Sequence, residues 1–142
     1  MKFMICGSMH FAKEMLEVQR ILEELGHQVN IPCDTHECVE NPNLNMDIEH
    51  CMMTNIDKSC FQKVVDSEAI LVLNYPKNDI DGYVGGATLM EIGLARYFDK
   101  KIFLLHDLPS EDELRYALEI KLVRPIILQG DIRKINLYVE GV

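Results

Sequence analysis

Glu91 is the only charged residue in the stretch Ala87-Thr88-Leu89-Met90-Glu91-Ile92-Gly93-Leu94-Ala95. So apolar a run predicts a helix covered on most sides. A lone carboxylate there is costly to bury without a partner or a purpose. A place near the helix N-terminus would favour its charged form. Two readings stay open. Thr88-x-x-Glu91 matches a capping box, in which Glu91 only satisfies backbone donors. Alternatively, the acid serves a ligand. Gly82, Gly85 and Gly86 precede the helix, and glycines let a ligand approach the backbone while the helix start offers N–H groups to an anion. A plain turn would also explain Gly85-Gly86.

Gly7-Ser8 makes the same offer after the first apolar run, with Ser8 as a helix cap as the simpler reading. Asp79 and Asp81 could meet a metal or a sugar hydroxyl, or be solvated loop charges. Asp57 and Asp66 flank an expected helix and could point to a site or to water. Cys33, His36, Cys38, His50 and Cys51 form C-x-x-H-x-C followed by H-C, which fits no tight zinc spacing. No metal is therefore expected. Nothing in the sequence marks one thiol as activated.

The elements that must carry these residues follow from periodicity. Phe3–Cys6 is a short apolar run before Gly7-Ser8. Phe11, Met15, Val18, Leu22 and Leu25 recur at helical spacing, and Gly26 suits the helix end. His27–Ile31 alternates and stops at Pro32, which completes a strand–helix–strand unit. Cys33–Met46 reads as a long polar loop, and Asp47 as the cap of a helix reaching about Val65. Ala69–Leu73 is unbroken apolar sequence, expected of a strand covered on both faces. A second long loop spans Asn74–Gly86. A helix over Ala87–Phe98, a strand at Ile102–Leu105, a helix capped by Ser110 and Glu113, and a strand at Pro125–Leu128 complete the pattern. Gly130–Val142 reads as a strand or a docked tail. Strands alternating with helices predict a flavodoxin-like or Rossmann-like doubly wound parallel sheet of five strands. In such sheets ligands sit beyond the strands' carboxyl ends, where the Gly7-Ser8 turn and the Asn74–Gly86 loop both fall.

At 142 residues, with 48% apolar and 26% charged side chains, the chain suits a single α/β domain over residues 1–142. A net charge of −9 disfavours a nucleic-acid polymer as partner, because that binding depends on Lys and Arg against phosphates. A single nucleotide held by backbone N–H groups stays compatible. No apolar run approaches a membrane span, so no membrane partner is expected. The first strand begins directly after Met1-Lys2, so the expectation is a cytoplasmic protein with its five cysteines reduced.

The residues in order resemble the nucleoside 2-deoxyribosyltransferase superfamily, including its 2'-deoxynucleoside 5'-phosphate N-hydrolase branch. The resemblance runs through Met4-Ile5-Cys6-Gly7-Ser8, Ser67-Glu68-Ala69-Ile70-Leu71-Val72, the Gly85-to-Ala95 block with its E-x-G-x-A, and Lys100–Leu105. It implies a flavodoxin-like fold and a glutamate nucleophile, Glu91, that attacks the anomeric carbon of a deoxyribose. That is the strategy of retaining glycosidases, with water or a second base releasing the sugar. It further implies Asp57 as an acid near the base or ribose, with Gly7 and Ser8 near the base or the 5'-phosphate.

This chain also departs from the family. Met4 stands where a first-strand tyrosine orients the nucleophile. Gly85 stands where transferases carry an acid and hydrolases a serine. His10 replaces the arginine of phosphate-specific hydrolases. Tyr83 is a candidate for the missing hydroxyl. The expected partner is a small-molecule nucleoside or nucleotide, with no cofactor and with assembly into a homo-oligomer. With arginines lacking near the glycine turns, only a weak preference for monophosphates is expected. The competing readings are a nucleotide-binding or sensor module of the same fold, and a phosphoribohydrolase of the cytokinin-activating type. The Pro-Gly-Gly-x-Gly-Thr motif usual in that last group is absent.

Overall fold

The computed structural model describes residues 1–139, and residues 140–142 of the expected tail lie outside the described chain. Five parallel strands form one sheet: β1 (Lys2–Gly7), β2 (Gln28–Asn30), β3 (Ala69–Leu73), β4 (Lys101–Leu104) and β5 (Ile126–Ile127). Their order is β2-β1-β3-β4-β5. This is the flavodoxin-like order, in which the chain reverses direction across the sheet between β1 and β3. The two strands run in register from Phe3↔Ala69 to Gly7↔Leu73, so their carboxyl ends lie side by side.

Alternation within the strands sorts side chains into two core layers. Phe3, Ile5, Leu71, Leu73 and Phe103 face α1 (Ala12–Glu24), which contributes Met15, Val18 and Leu22. Met4, Cys6, Ile70, Val72, Ile102 and Leu104 face the other way. They meet α4 (Ile56–Val65), α5 (Gly86–Tyr97) and α6 (Ala117–Leu122). The helix α7 (Ile135–Val139) docks through Ile135 on the α1 side. Both faces are covered, as the unbroken apolar β3 requires.

Three local expectations are corrected. The polar stretch after β2 holds a short helix, α2 (Thr35–Glu40), whose Thr35 and Cys38 are buried and whose Thr35 hydroxyl donates to the Pro32 carbonyl. The long helix expected after Asp47 is two helices, α3 (Ile48–Thr54) and α4. Asp47 does cap the first by accepting from the His50 N–H at 3.1 Å. The break falls at Asn55, whose φ of 47° is left-handed, a conformation asparagine tolerates better than most residues. Ser110 accepts from the Asp112 N–H as in a cap, but it closes only a turn, and α6 starts later at Ala117.

The loop from β3 to α5 is long but firmly held. Asn74, fully buried, accepts from the His106 N–H at 2.8 Å and donates to the His106 and Asp107 carbonyls. Asn78 and Asp79 both have positive φ and close a tight turn between Lys77 and Ile80, the geometry of a type I′ hairpin. Gly82 has φ of +69°, and a Cβ there would lie 2.5 Å from the Asp107 carbonyl oxygen. Gly82→Ala should therefore lower stability by about 2 kcal/mol or more. A Cβ at Gly86 meets nothing within 4 Å, so Gly86→Ala should melt no lower than wild type. Equal melting temperatures for the two variants would contradict this placement.

Candidate active site

A cavity of about 310 Å³ opens at the carboxyl ends of β1 and β3, large enough for a small ligand. Gly7 and Ser8 after β1 form one wall, and Gly85, Gly86 and Glu91 of the α5 segment another. Asp57 and Cys60 on α4 close a third side, with Asp34 and Asn45 beside them. Lys77 and Tyr83 of the long loop complete it. The register of β1 on β3 and the break at Asn55 thus bring together segments far apart in sequence.

Glu91 is 8% exposed. The cap of α5 is Gly85, with no side-chain hydrogen bond, so Thr88 and Glu91 lie inside the helix. This corrects the capping-box reading. Glu91 is also past the first turn, where a helix dipole acts most strongly. Burial pushes its carboxyl up to about 7, against a smaller opposing effect from a hydrogen bond with the Cys6 thiol. Met4 is fully buried in the core and offers no hydroxyl. Cys60, which faces the same carboxylate, is pushed up to about 12, mainly by burial and next by the charge of Glu91.

The Gly85-Gly86 pair is not a turn requirement. Gly85 has φ of −82° and Gly86 begins the helix, conformations open to any residue. What their missing side chains provide is space on the cavity wall. Ser8 does cap, since its Oγ accepts from the His10 N–H at 3.2 Å, but it caps a 3-10 turn over Met9–Phe11. The same Oγ accepts from Lys77 Nζ at 3.0 Å. Lys77 Nζ also lies 5.5 Å from the centre of the Tyr83 ring, within cation–π range.

Of the residues singled out from sequence, Glu91, Asp57, Tyr83, Gly7, Ser8, Gly85 and Gly86 line the cavity. His10 is exposed, outside that lining, with its ring edge-on to Phe11. Asp66 ends α4 away from the cavity and accepts from Gln62. Asp79 and Asp81 are exposed and do not line it. Among the described residues no three His, Cys, Asp or Glu side chains gather as a metal-binding group. His50 instead meets Asp34, Nε2 to Oδ2 at 3.0 Å, while Asp34 Oδ1 is buried with no partner among the described residues.

Lys77 and Asp34 were not singled out from sequence. Lys77 had one signal: it is the sole basic residue between Asn74 and Gly86. Asp34 had none, because its contact with His50 joins residues 16 positions apart on different helices.

No family model and no curated protein matches this chain. Among solved structures it is similar to the Clostridium botulinum CMP N-glycosidase BcmB. The TM-score is 0.54 and the identity 21%, over 97% of this chain and 99% of that one. At that identity the likeness establishes a shared fold. Among the described residues no helix is long and apolar enough to cross a membrane.

The raised Glu91 carboxyl makes a prediction about stability. Its ordinary value is 4.5 and its value in the fold about 7. Between those values the unfolded chain holds fewer protons, so this group makes stability fall as pH rises, levelling off above the folded value. The penalty at the plateau is about 3 kcal/mol at most. Glu91→Gln should therefore gain stability relative to wild type between about pH 4 and pH 8, measured by paired thermal melts. A variant less stable by the same margin at both pH values would refute the burial of this charge.

Proposed function

We propose that this chain cleaves the N-glycosidic bond of a 2'-deoxynucleoside or its 5'-monophosphate, with Glu91 as nucleophile and water or a second base as acceptor. The observation that carries the reading is a buried carboxylate, without an ion-pair partner among the described residues, on the wall of a ligand-sized cavity. The fold shared with an N-glycosidase and the resemblance of the Gly85-to-Ala95 block support it.

In the first step a Glu91 oxygen attacks the anomeric carbon and forms a glycosyl ester. The electron pair of the breaking C–N bond leaves with the base, which takes up a proton. In the second step the acceptor attacks the same carbon, loses its proton, and releases Glu91 as a carboxylate. Two displacements retain the anomeric configuration. A deoxyribose suits the route because the missing 2'-hydroxyl eases formation of the oxocarbenium-like centre. Asp57 accepts hydrogen bonds from the base or sugar, and the Tyr83 hydroxyl stands beside Gly85.

The nucleophile must be ionised, so kcat/KM should rise with pH through about 7. Glu91→Gln cannot form the ester. Base release from deoxynucleosides and deoxynucleotides should fall by about three orders of magnitude while the fold persists. Retention of more than about a tenth of the wild-type rate would rule out Glu91 as nucleophile. A wild type that binds deoxynucleotides without releasing base would favour the sensor reading.

Lys77 changes the charge argument at the sugar's 5' end. Its ammonium on Ser8 Oγ, facing the start of α5, forms a cradle for a 5'-phosphate. Lys77→Met should lower kcat/KM for the monophosphate by about tenfold or more, about 1.4 kcal/mol, and spare the free nucleoside. Equal losses on both substrates would place the phosphate elsewhere. We assign the expected self-association to the exposed Met46, Ile48, Met52, Met53 and Met90, the last of which lines the cavity mouth.

A further inference from the structure

With Glu91 assigned to the anomeric carbon, and Lys77 on Ser8 Oγ to the 5' end, one wall of the cavity remains for the base. Pro32, Ile56 and Phe61 give that wall apolar surface for the faces of a flat ring. Asp34, Asn45 and Asp57 stand among them. Among the described residues Lys77 is the one basic side chain of the lining, and it lies on the Ser8 side. The base wall therefore offers two carboxylates and no cation.

Those two carboxylates differ. Asp57 is exposed, so water competes for its oxygens. Asp34 is 4% exposed, and its Oδ2 is held by His50 Nε2 at 3.0 Å. Its Oδ1 is buried with no partner among the described residues. A buried acceptor without a donor is costly, and a ligand in the cavity can supply one.

We infer that Asp34 selects the base, favouring an exocyclic amine where the counterpart carries a carbonyl: cytosine over uracil, adenine over hypoxanthine. This rests on the glycosidase reading of the cavity and adds the substrate class to it. An ionised carboxylate accepts hydrogen bonds and donates none. The amine N–H of cytosine donates to Oδ1 and satisfies it. Uracil brings a carbonyl oxygen to the same place, so two acceptors face each other and Oδ1 stays unpaired. The two bases are nearly alike in shape, so the choice comes from this polar mismatch. A site built on a buried polar group rejects the analogue without the matching donor strongly. The contact with His50 fixes the carboxylate's orientation.

The test pairs substrates that differ at that group and its neighbouring ring nitrogen: deoxycytidine with deoxyuridine, and deoxyadenosine with deoxyinosine. Calorimetric binding to Glu91→Gln reads recognition without turnover, and base release by wild type reads catalysis. In whichever pair the cavity accepts, the amine member should be favoured by about thirtyfold or more in both readouts. In Asp34→Asn, confirmed as folded by its melt, His50 retains the side-chain oxygen and the amide N–H2 takes the place of Oδ1. The preference should then shrink to about threefold or less, or reverse. Asp57→Asn should keep it. A wild type that treats both members alike, or favours the carbonyl, overturns the inference whether or not the Asn variant folds. A preference that survives in Asp34→Asn, or collapses in Asp57→Asn, overturns it as well. Selective binding by a protein that releases no base would support Asp34 as the selector and refute the glycosidase reading instead. Base release without selectivity would do the reverse, and binding of neither pair would overturn both.

Discussion

The constraint on which the site depends is the parallel pairing of β1 with β3, which ends at Gly7↔Leu73. Each strand delivers its following loop to the same edge of the sheet. The helix after β3 must then pack back across the face formed by Met4, Cys6, Ile70 and Val72. That packing buries α5 on the side carrying Ile92 and Ala95 and takes Glu91 down with them. The carboxylate is thus desolvated as a consequence of sheet topology. The raised proton affinity that follows is paired with closeness to the cavity, the combination that marks functional acids.

Rigidity comes from the opposite quarter. The Asn74 side chain replaces the backbone pairing that β3 and β4 no longer supply beyond their ends, through bonds to His106 and Asp107. Gly82 lets the loop run against the 107–109 backbone, closer than any side chain permits. Tyr116 adds a hydrogen bond to the Val84 carbonyl. A segment with little regular structure thereby holds Lys77 and Tyr83 at fixed places. A loop anchored at its base and closed by a tight turn loses little further entropy on ligand binding.

The remaining wall is made by α2, α3 and α4. A continuous helix from Asp47 would carry residues 47–65 along a single axis. The left-handed Asn55 divides it, and His50 and Asp57 fall on different helices. His50 reaches Asp34 at the start of α2, joining two short helices of which α3 buries no residue and α2 only Thr35 and Cys38. One Asp34 oxygen is held by that contact, and the other is buried without a partner among the described residues.

Most of the architecture was legible from periodicity. Apolar runs at Phe3–Cys6 and Ala69–Leu73, with helical spacing from Phe11 to Leu25, are signals carried by neighbouring residues, and they determined the α/β class and the strand sequence by themselves. Glu91 stood out for the same reason, as a charge in an apolar helix. Local pattern misled where two local rules competed. Thr88 and Glu91 satisfy the spacing of a capping box, yet Gly85 starts the helix because α5 is docked on the sheet from its first turn. What only the tertiary structure decided is proximity between distant segments. Lys77 on Ser8 and His50 on Asp34 join residues that no local rule relates. Their meeting depends on strand register, on the break at Asn55 and on the path of a long loop, each set by packing of the whole chain rather than by any short stretch of it.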